Sequence, residues 1–161
     1  MKKTVITLFL LLVSVAAFSQ VPRAKMSNYI TSCKEYEGAE VVHFVGLGAF
    51  LMKSAASLVS IDEPELRDLL PIIKGLKGFY LLNYSECSAA DQRKISKKLN
   101  RLLSKADLLM EVCDDDGAFQ IFGTDMGTKI KDVVIYTPSD CTVICCFGSI
   151  DSDALAMLMN D

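Results

Sequence analysis

The segment from residue 130 to residue 147, IKDVVIYTPSDCTVICCF, decides the fold of this chain. It contains two strand patterns, residues 130–137 and 142–147, joined by the turn-forming sequence Pro-Ser-Asp at 138–140. Residues 133–136 of the first and 143–147 of the second are apolar on both faces of the pleat, which is typical of strands covered on two sides. The pattern therefore predicts two strands at the centre of a sheet.

Similar strand patterns precede this central segment, and helical patterns alternate with them. Strands are predicted over residues 39–45, 79–84, 108–113 and 118–123, and Asp116-Gly117 between the last two is typical of a hairpin. Helices are predicted over residues 27–37, 49–59, 62–73, 88–106 and 151–158. The helix at Ser88 has the clearest signal, because a capping residue with an acid three positions later precedes an apolar stripe.

These elements predict an α+β fold with two layers. We expect a mostly antiparallel sheet of five or six strands, with the helices packed on one face. The second face of such a sheet is also apolar, so a second copy of the chain, a ligand or a protein partner has to cover it. A homodimer through the open sheet face is one arrangement that meets this requirement.

The first nineteen residues are typical of a secretory signal peptide, because two lysines precede an apolar run over residues 5–18. We predict cleavage between Ser19 and Gln20, with an uncleaved anchor as the alternative, which leaves a single α+β domain of residues 20–161. The apolar run is shorter than the roughly 20 residues of a spanning helix. No cysteine follows it as lipoproteins require. We therefore expect a periplasmic or secreted protein without a transmembrane segment or a lipid anchor.

Charge is unevenly distributed along the chain that remains after cleavage. Fifteen basic residues face twenty acidic ones, and this balance argues against nucleic acid as a partner. Residues 20–105 hold 13 basic and 9 acidic residues, whereas residues 106–161 hold 2 and 11. Basic side chains recur at helical spacing on one face of the predicted helix 88–106: Arg93, Lys94, Lys97, Lys98, Arg101 and Lys105. This stripe is the candidate contact for an anion or a partner, and a solvated helix face is the alternative.

Six cysteines are present in the predicted exported chain: Cys33, Cys87, Cys113, Cys141, Cys145 and Cys146. An even number in an oxidising compartment allows fifteen full pairings, and Cys113 with Cys146 is one cross-strand pair that we consider. Buried free thiols that act as small apolar side chains are the alternative. C-x-x-C pairs are missing, so neither a zinc site nor a thiol oxidoreductase is indicated. We expect no metal and no cofactor.

His43 is the one histidine of the chain, and a serine or cysteine hydrolase would need it as the base. It lies in the middle of the strand predicted over residues 39–45, where a satisfied, partly buried imidazole is the ordinary arrangement. Gly46-Leu47-Gly48 follows this strand, but Leu51 stands where a dinucleotide fingerprint needs a third glycine. No catalytic residue is therefore predicted, and the domain is not expected to be an enzyme.

Three motifs together resemble one known family: Leu108-Leu109-Met110-Glu111-Val112 before the acidic hairpin, Val133-Val134-Ile135-Tyr136, and Phe147-Gly148-Ser149-Ile150-Asp151. They resemble the domain of unknown function 4252 family of exported Bacteroidetes proteins. The resemblance implies an envelope or periplasmic α+β domain, with relatives that are often lipoproteins and some encoded near extracytoplasmic sigma-factor genes. It implies no activity and no site residues. Ser149 replaces the first aspartate of the family's usual Gly-Asp-Ile-Asp motif, and Gln20 stands where lipoprotein relatives have a lipidated cysteine.

Three functions follow from these observations as hypotheses. The leading one is a non-enzymatic periplasmic module that binds an envelope protein or a small ligand, through the exposed sheet face or the basic stripe. The second, which rests on the resemblance, is an envelope-stress or signalling component that acts beside an anti-sigma system. The third is a small hydrolase that uses His43.

Overall fold

The structure is a computed structural model that describes residues 20–46, 75–114 and 117–153. In chain order its elements are helix α1 (Arg23–Ser32), a short 3₁₀ helix (Cys33–Glu35), strands β1 (Glu40–Val45) and β2 (Leu76–Asn83), helix α2 (Ala89–Leu103), and strands β3 (Asp107–Asp114), β4 (Gly117–Asp125), β5 (Lys129–Thr137) and β6 (Thr142–Asp151). The described strands form one six-stranded sheet in the order β1-β2-β6-β5-β4-β3. Every neighbouring pair is antiparallel, so the predicted fold class is confirmed.

The two strands of the deciding segment, β5 and β6, occupy the two central positions of the sheet. They pair directly, with Val134 opposite Cys145 and Ile135 opposite Ile144. Val134 and Cys145 are fully buried on the face that the helices cover, whereas Val133 is buried on the opposite face. The helix-covered face of these strands is therefore buried, whereas on the opposite face Val133 is buried and Ile135, Ile144 and Cys146 are only half-buried.

Both described helices pack against the same face of the sheet. Helix α2 is fixed there by Ile95, Leu99 and Leu103, which recur at helical spacing and are almost completely buried. Its start is also as predicted: the Ser88 hydroxyl oxygen accepts a hydrogen bond from the Asp91 backbone N–H at 3.2 Å. The main core is formed by side chains from α1, α2 and the sheet, including Met26, Ile30, Leu82, Tyr84, Val134, Tyr136, Val143 and Phe147.

The first helix begins earlier than the sequence pattern predicted. Helix α1 starts after Pro22, whereas Ser27 was expected as its cap; Ser27 instead lies inside the helix and its hydroxyl donates to the Ala24 carbonyl. The correct phase is set by Met26 and Ile30, which are fully buried four residues apart. The helices predicted over 49–59 and 62–73, and residues 154–158 of the last predicted helix, lie outside the described residues.

A continuous apolar row crosses the face of the sheet opposite the helices. The register aligns one side chain from each strand in this row, from β1 to β3: Val42, Leu81, Ile144, Ile135, Ile121 and Met110. A second cluster on this face joins Leu76, Ile121, Val133 and Ile150, all of them buried. We call this surface the open face, because among the described elements only the sheet contributes to that cluster. Neither described helix has the length and apolar character needed to cross a bilayer.

Gly148 provides a test of the close packing between β2 and β6. Its φ is +134°, and a Cβ at this position would collide with the Gly75 carbonyl oxygen. We expect Gly148→Ala to lower the free energy of unfolding by about 3 kcal/mol or more, because strain and a backbone collision act together. Gly127→Ala is the matched control, since Gly127 also has a positive φ but open space around it. That variant should lose only about 1–2 kcal/mol. Urea unfolding measures both, and equal losses would contradict the packing described here.

Candidate functional site

The exposed side of α2 carries the six basic side chains that the sequence singled out. We call them the basic surface: Arg93, Lys94, Lys97, Lys98, Arg101 and, just after the helix, Lys105. All six are exposed, because the opposite side of the same helix is committed to the core. The structure therefore brings together every member of the predicted stripe. Arg93 and Arg101 are eight residues apart, about 12 Å along the helix axis.

Contacts within α2 and with α1 involve some of these side chains. The Lys94 ammonium lies 3.0 Å from a carboxylate oxygen of Asp91. Hydrogen bonds from Ser88 and then from Lys94 lower the pKa of Asp91. The Arg93 Nε donates to the Ala89 carbonyl at 3.1 Å, and the Lys98 ammonium lies 6.0 Å from the centre of the Tyr29 ring. These side chains are therefore partly ordered, which lowers the conformational entropy that binding an anion would cost.

His43 occupies a different environment from the one predicted. It is exposed, whereas a partly buried imidazole was expected, because β1 is an edge strand. Its ring stacks on Tyr80 with 5.9 Å between ring centres and 12° between planes. Tyr80 in turn contacts the Phe147 ring, which is tilted by 55° against it, and the Arg23 guanidinium lies 5.5 Å from the centre of the Phe147 ring. The described contacts of His43 are thus aromatic, and they give it a packing role at the sheet edge.

The sheet order separates the cysteine pair considered from the sequence. Cys113 is exposed on the edge strand β3, whereas Cys146 lies on β6, and two strands stand between them. Three inter-strand spacings amount to about 14 Å, far beyond the Cα separation of a disulfide. That pairing is therefore wrong. The structure has all six cysteines as free thiols.

Buried thiols and hydroxyls gather in the main core. Burial raises the pKa of Cys33 to about 11 and raises the pKa of Cys145 well above its usual value. The Tyr84 hydroxyl lies 2.9 Å from the Ser96 hydroxyl and 3.2 Å from the Tyr136 hydroxyl, and burial raises the pKa of Tyr84 as well. Groups held neutral in this way are poor nucleophiles at neutral pH. No local pattern predicts this hydroxyl cluster, because its members come from three distant parts of the chain.

The described residues also bear on metal binding. Across residues 20–46, 75–114 and 117–153, no three His, Cys, Asp or Glu side chains lie close enough together to hold a metal ion. The described part of the chain instead presents a row of cations on α2 and an apolar sheet face. The arrangement is suited to contact with another surface.

The buried thiols and hydroxyls predict a loss of stability at alkaline pH. The folded state favours the neutral forms of these groups. Their full contribution to the free energy of unfolding is therefore present at pH values below their pKa values in the unfolded chain, about 8.5 for Cys and 10 for Tyr. It is lost as the pH rises toward the raised folded values. We expect the free energy of unfolding to fall above about pH 9. In Tyr84→Phe the decline above pH 10 should be shallower, by up to about 1.4 kcal/mol per pH unit. Urea titrations from pH 7 to 11 measure this, and an identical slope in the variant would contradict it.

Comparison with known proteins identifies the family of this chain. The family model described as "Domain of unknown function (DUF4252)" matches residues 36–158. The match covers most of the chain and includes α2 and all six strands of the described sheet, whereas α1 precedes it. No curated protein and no solved structure matches the chain. The resemblance of the three sequence motifs is thereby confirmed, and the chain belongs to the DUF4252 family.

Proposed function

We propose that this domain is an exported, non-enzymatic binding module whose basic surface on α2 contacts the anionic phospholipid surface of the cell envelope. One observation carries the proposal: a helix anchored by its apolar side presents five exposed cations on its other side, and Lys105 is exposed just after its end. Export is supported by the signal-peptide pattern of the first nineteen residues. A non-enzymatic role is supported by the aromatic contacts of His43 and by the neutral, buried state of Cys33 and Cys145.

Repulsion within the basic surface favours an anionic partner. Lys97 lies between Arg93 and Arg101 at intervals of four residues, the spacing at which like charges on a helix repel by a few tenths of a kcal/mol per pair. A partner with several negative groups relieves this repulsion at several positions at once. The gain is therefore larger for an extended anionic surface than for a single anion.

The distribution of charge over the whole chain orients such a contact. The predicted mature chain is acidic overall, with 15 basic and 20 acidic residues, yet 13 of the basic residues lie between residues 20 and 105. The basic side chains concentrated on one exposed helix attract that helix to an anionic surface even though the chain is acidic overall. Because the exposed side of α2 is polar, the contact is electrostatic and does not require insertion into the bilayer.

Neutralising two cations at the centre of the basic surface tests the proposal. We expect the mature chain to sediment with vesicles that contain phosphatidylglycerol and to remain in solution with phosphatidylcholine vesicles. Each basic residue near such a surface contributes about 1 kcal/mol, so Lys97→Gln/Arg101→Gln should bind about thirty-fold more weakly. The control Lys77→Gln/Lys129→Gln makes the same change of net charge at two exposed strand positions and should bind like the parent. Equal binding by all three proteins, or binding to neutral vesicles, would contradict the proposal.

A further inference from the structure

Three of the six cysteines lie in one region of the main core, near the start of α2. Cys33 and Cys87 are buried in this core, and Cys141 packs against it while it remains half-buried. They come from three separate parts of the chain, which are the 3₁₀ helix, the loop before α2 and the turn between β5 and β6. A disulfide between two of them requires that their main chains lie close together and that an oxidant can reach one thiol.

The main chain of Cys141 is hydrogen-bonded to that of Tyr84. Asn83 pairs with Thr142 in the ladder of β2 and β6, and one step further along the Tyr84 N–H donates to the Cys141 carbonyl at 2.9 Å. Side chains that stand opposite each other in an antiparallel ladder lie on the same face of the sheet. Cys141 therefore lies beside Tyr84 on the face that the helices cover, where both contribute to the main core.

The loop before α2 holds Cys87 beside the same tyrosine. The Cys87 N–H donates to the Tyr84 carbonyl at 3.2 Å, which closes a turn and keeps the Cα atoms of these two residues within about 7 Å of each other. The Gln92 side-chain amide donates to the Cys87 carbonyl at 3.1 Å, and a Cβ on Gly38 would lie 3.0 Å from the Cys87 nitrogen. Contacts on several sides therefore fix the Cys87 main chain next to the segment that carries Cys141.

The thiols of Cys87 and Cys141 interact with each other, and one of them is accessible. Burial raises the pKa of Cys87, and Asp91 and then Cys141 raise it further. Cys33 is the third thiol of this region, but it is fully buried and shares a hydrogen bond with the Tyr29 side chain. Cys141 is half-buried, so an oxidant in solution reaches it before it reaches Cys33.

We propose that Cys87 and Cys141 form a structural disulfide when the exported chain meets a disulfide oxidant. The Cys141 thiolate attacks one sulfur of the oxidant and releases the first thiol, and the Cys87 thiolate then attacks the Cys141 sulfur and releases the second. The two cysteines lose two protons and two electrons in total, and the oxidant gains them as its disulfide becomes two thiols. This inference takes only the oxidising compartment from the proposed function, and the membrane contact has no part in it.

The disulfide joins the turn between β5 and β6 to the loop from which α2 begins. It closes the long loop of residues 87–141, which restricts the unfolded chain and so stabilises the folded one. Burial raises the pKa of Cys141 as well as that of Cys87, so neither thiol is activated in the way that redox catalysis requires. The bond therefore has a structural role, in which it ties the helix that carries the basic surface to the sheet.

Oxidation of the purified mature chain tests the proposal without relying on export. The reduced chain is incubated with oxidised glutathione at about pH 8.5, where more of each thiol is ionised. It is then denatured and treated with N-ethylmaleimide, which labels free thiols. All six cysteines should react before oxidation and four afterwards, with a loss of two hydrogens and a peptide that links Cys87 to Cys141. The melting temperature should rise by about 10 °C. Six reactive thiols after oxidation, or linkage of another pair such as Cys33 with Cys87, would overturn the inference.

Two variants that each lack one cysteine assign the bond to this pair. Cys141→Ser should keep all its thiols reactive after the same oxidation, and its melting temperature should not change. Cys113→Ser is the matched control, because it removes the exposed thiol on β3, and it should still lose two reactive thiols. Lys97→Gln/Arg101→Gln should form the disulfide as the parent does, which separates this inference from the membrane proposal. A disulfide in Cys141→Ser, or none in Cys113→Ser, would contradict the assignment.

Discussion

Strands β5 and β6 are apolar on both faces of the pleat, and their side chains are best shielded from water where other strands flank them on both sides. Val134 and Cys145 enter the core beneath the helices, while Val133 enters the cluster on the open face. Once these two strands pair, the other four can be added only outside them. Two are added on each side, which places β1 and β3 at the edges. The apolar character of β5 and β6 thus keeps these two strands away from the edges, which are formed by β1 and β3.

The same constraint positions the basic surface of α2 and the edge strand β3. Helix α2 packs over the central strands through Ile95, Leu99 and Leu103, so its basic side chains face away from the sheet. Strand β3, at the far edge, exposes Met110 and Val112. One surface is positively charged and the other is apolar with negative charge beside it. They belong to different elements, so each can be changed by substitution without altering the other.

Local patterns predicted much of this architecture. The central strands were predictable because apolar side chains occur on both of their faces. Helix α2 was predictable because a capping pair precedes apolar residues that recur every 3.6 positions. The exposure of the basic surface followed from the same period. The start of α1 was not predictable from Ser27, because burial of Met26 and Ile30 outweighed a favourable cap. Strand order was not predictable either, since the pairing of Leu81 with Ile144 joins residues more than sixty positions apart. The exposure of His43, the separation of Cys113 from Cys146, and the β3 edge all depend on that order.

Amide hydrogen exchange on the mature chain, resolved by residue, tests the sheet order most directly. The amides of Val134 and Cys145, in the paired central strands, should exchange only through global unfolding. Alternate amides of β3, which point away from β4, should exchange orders of magnitude faster in the free protein. Strong protection along both sides of β3, or rapid exchange in β5 and β6, would contradict the placement of these strands.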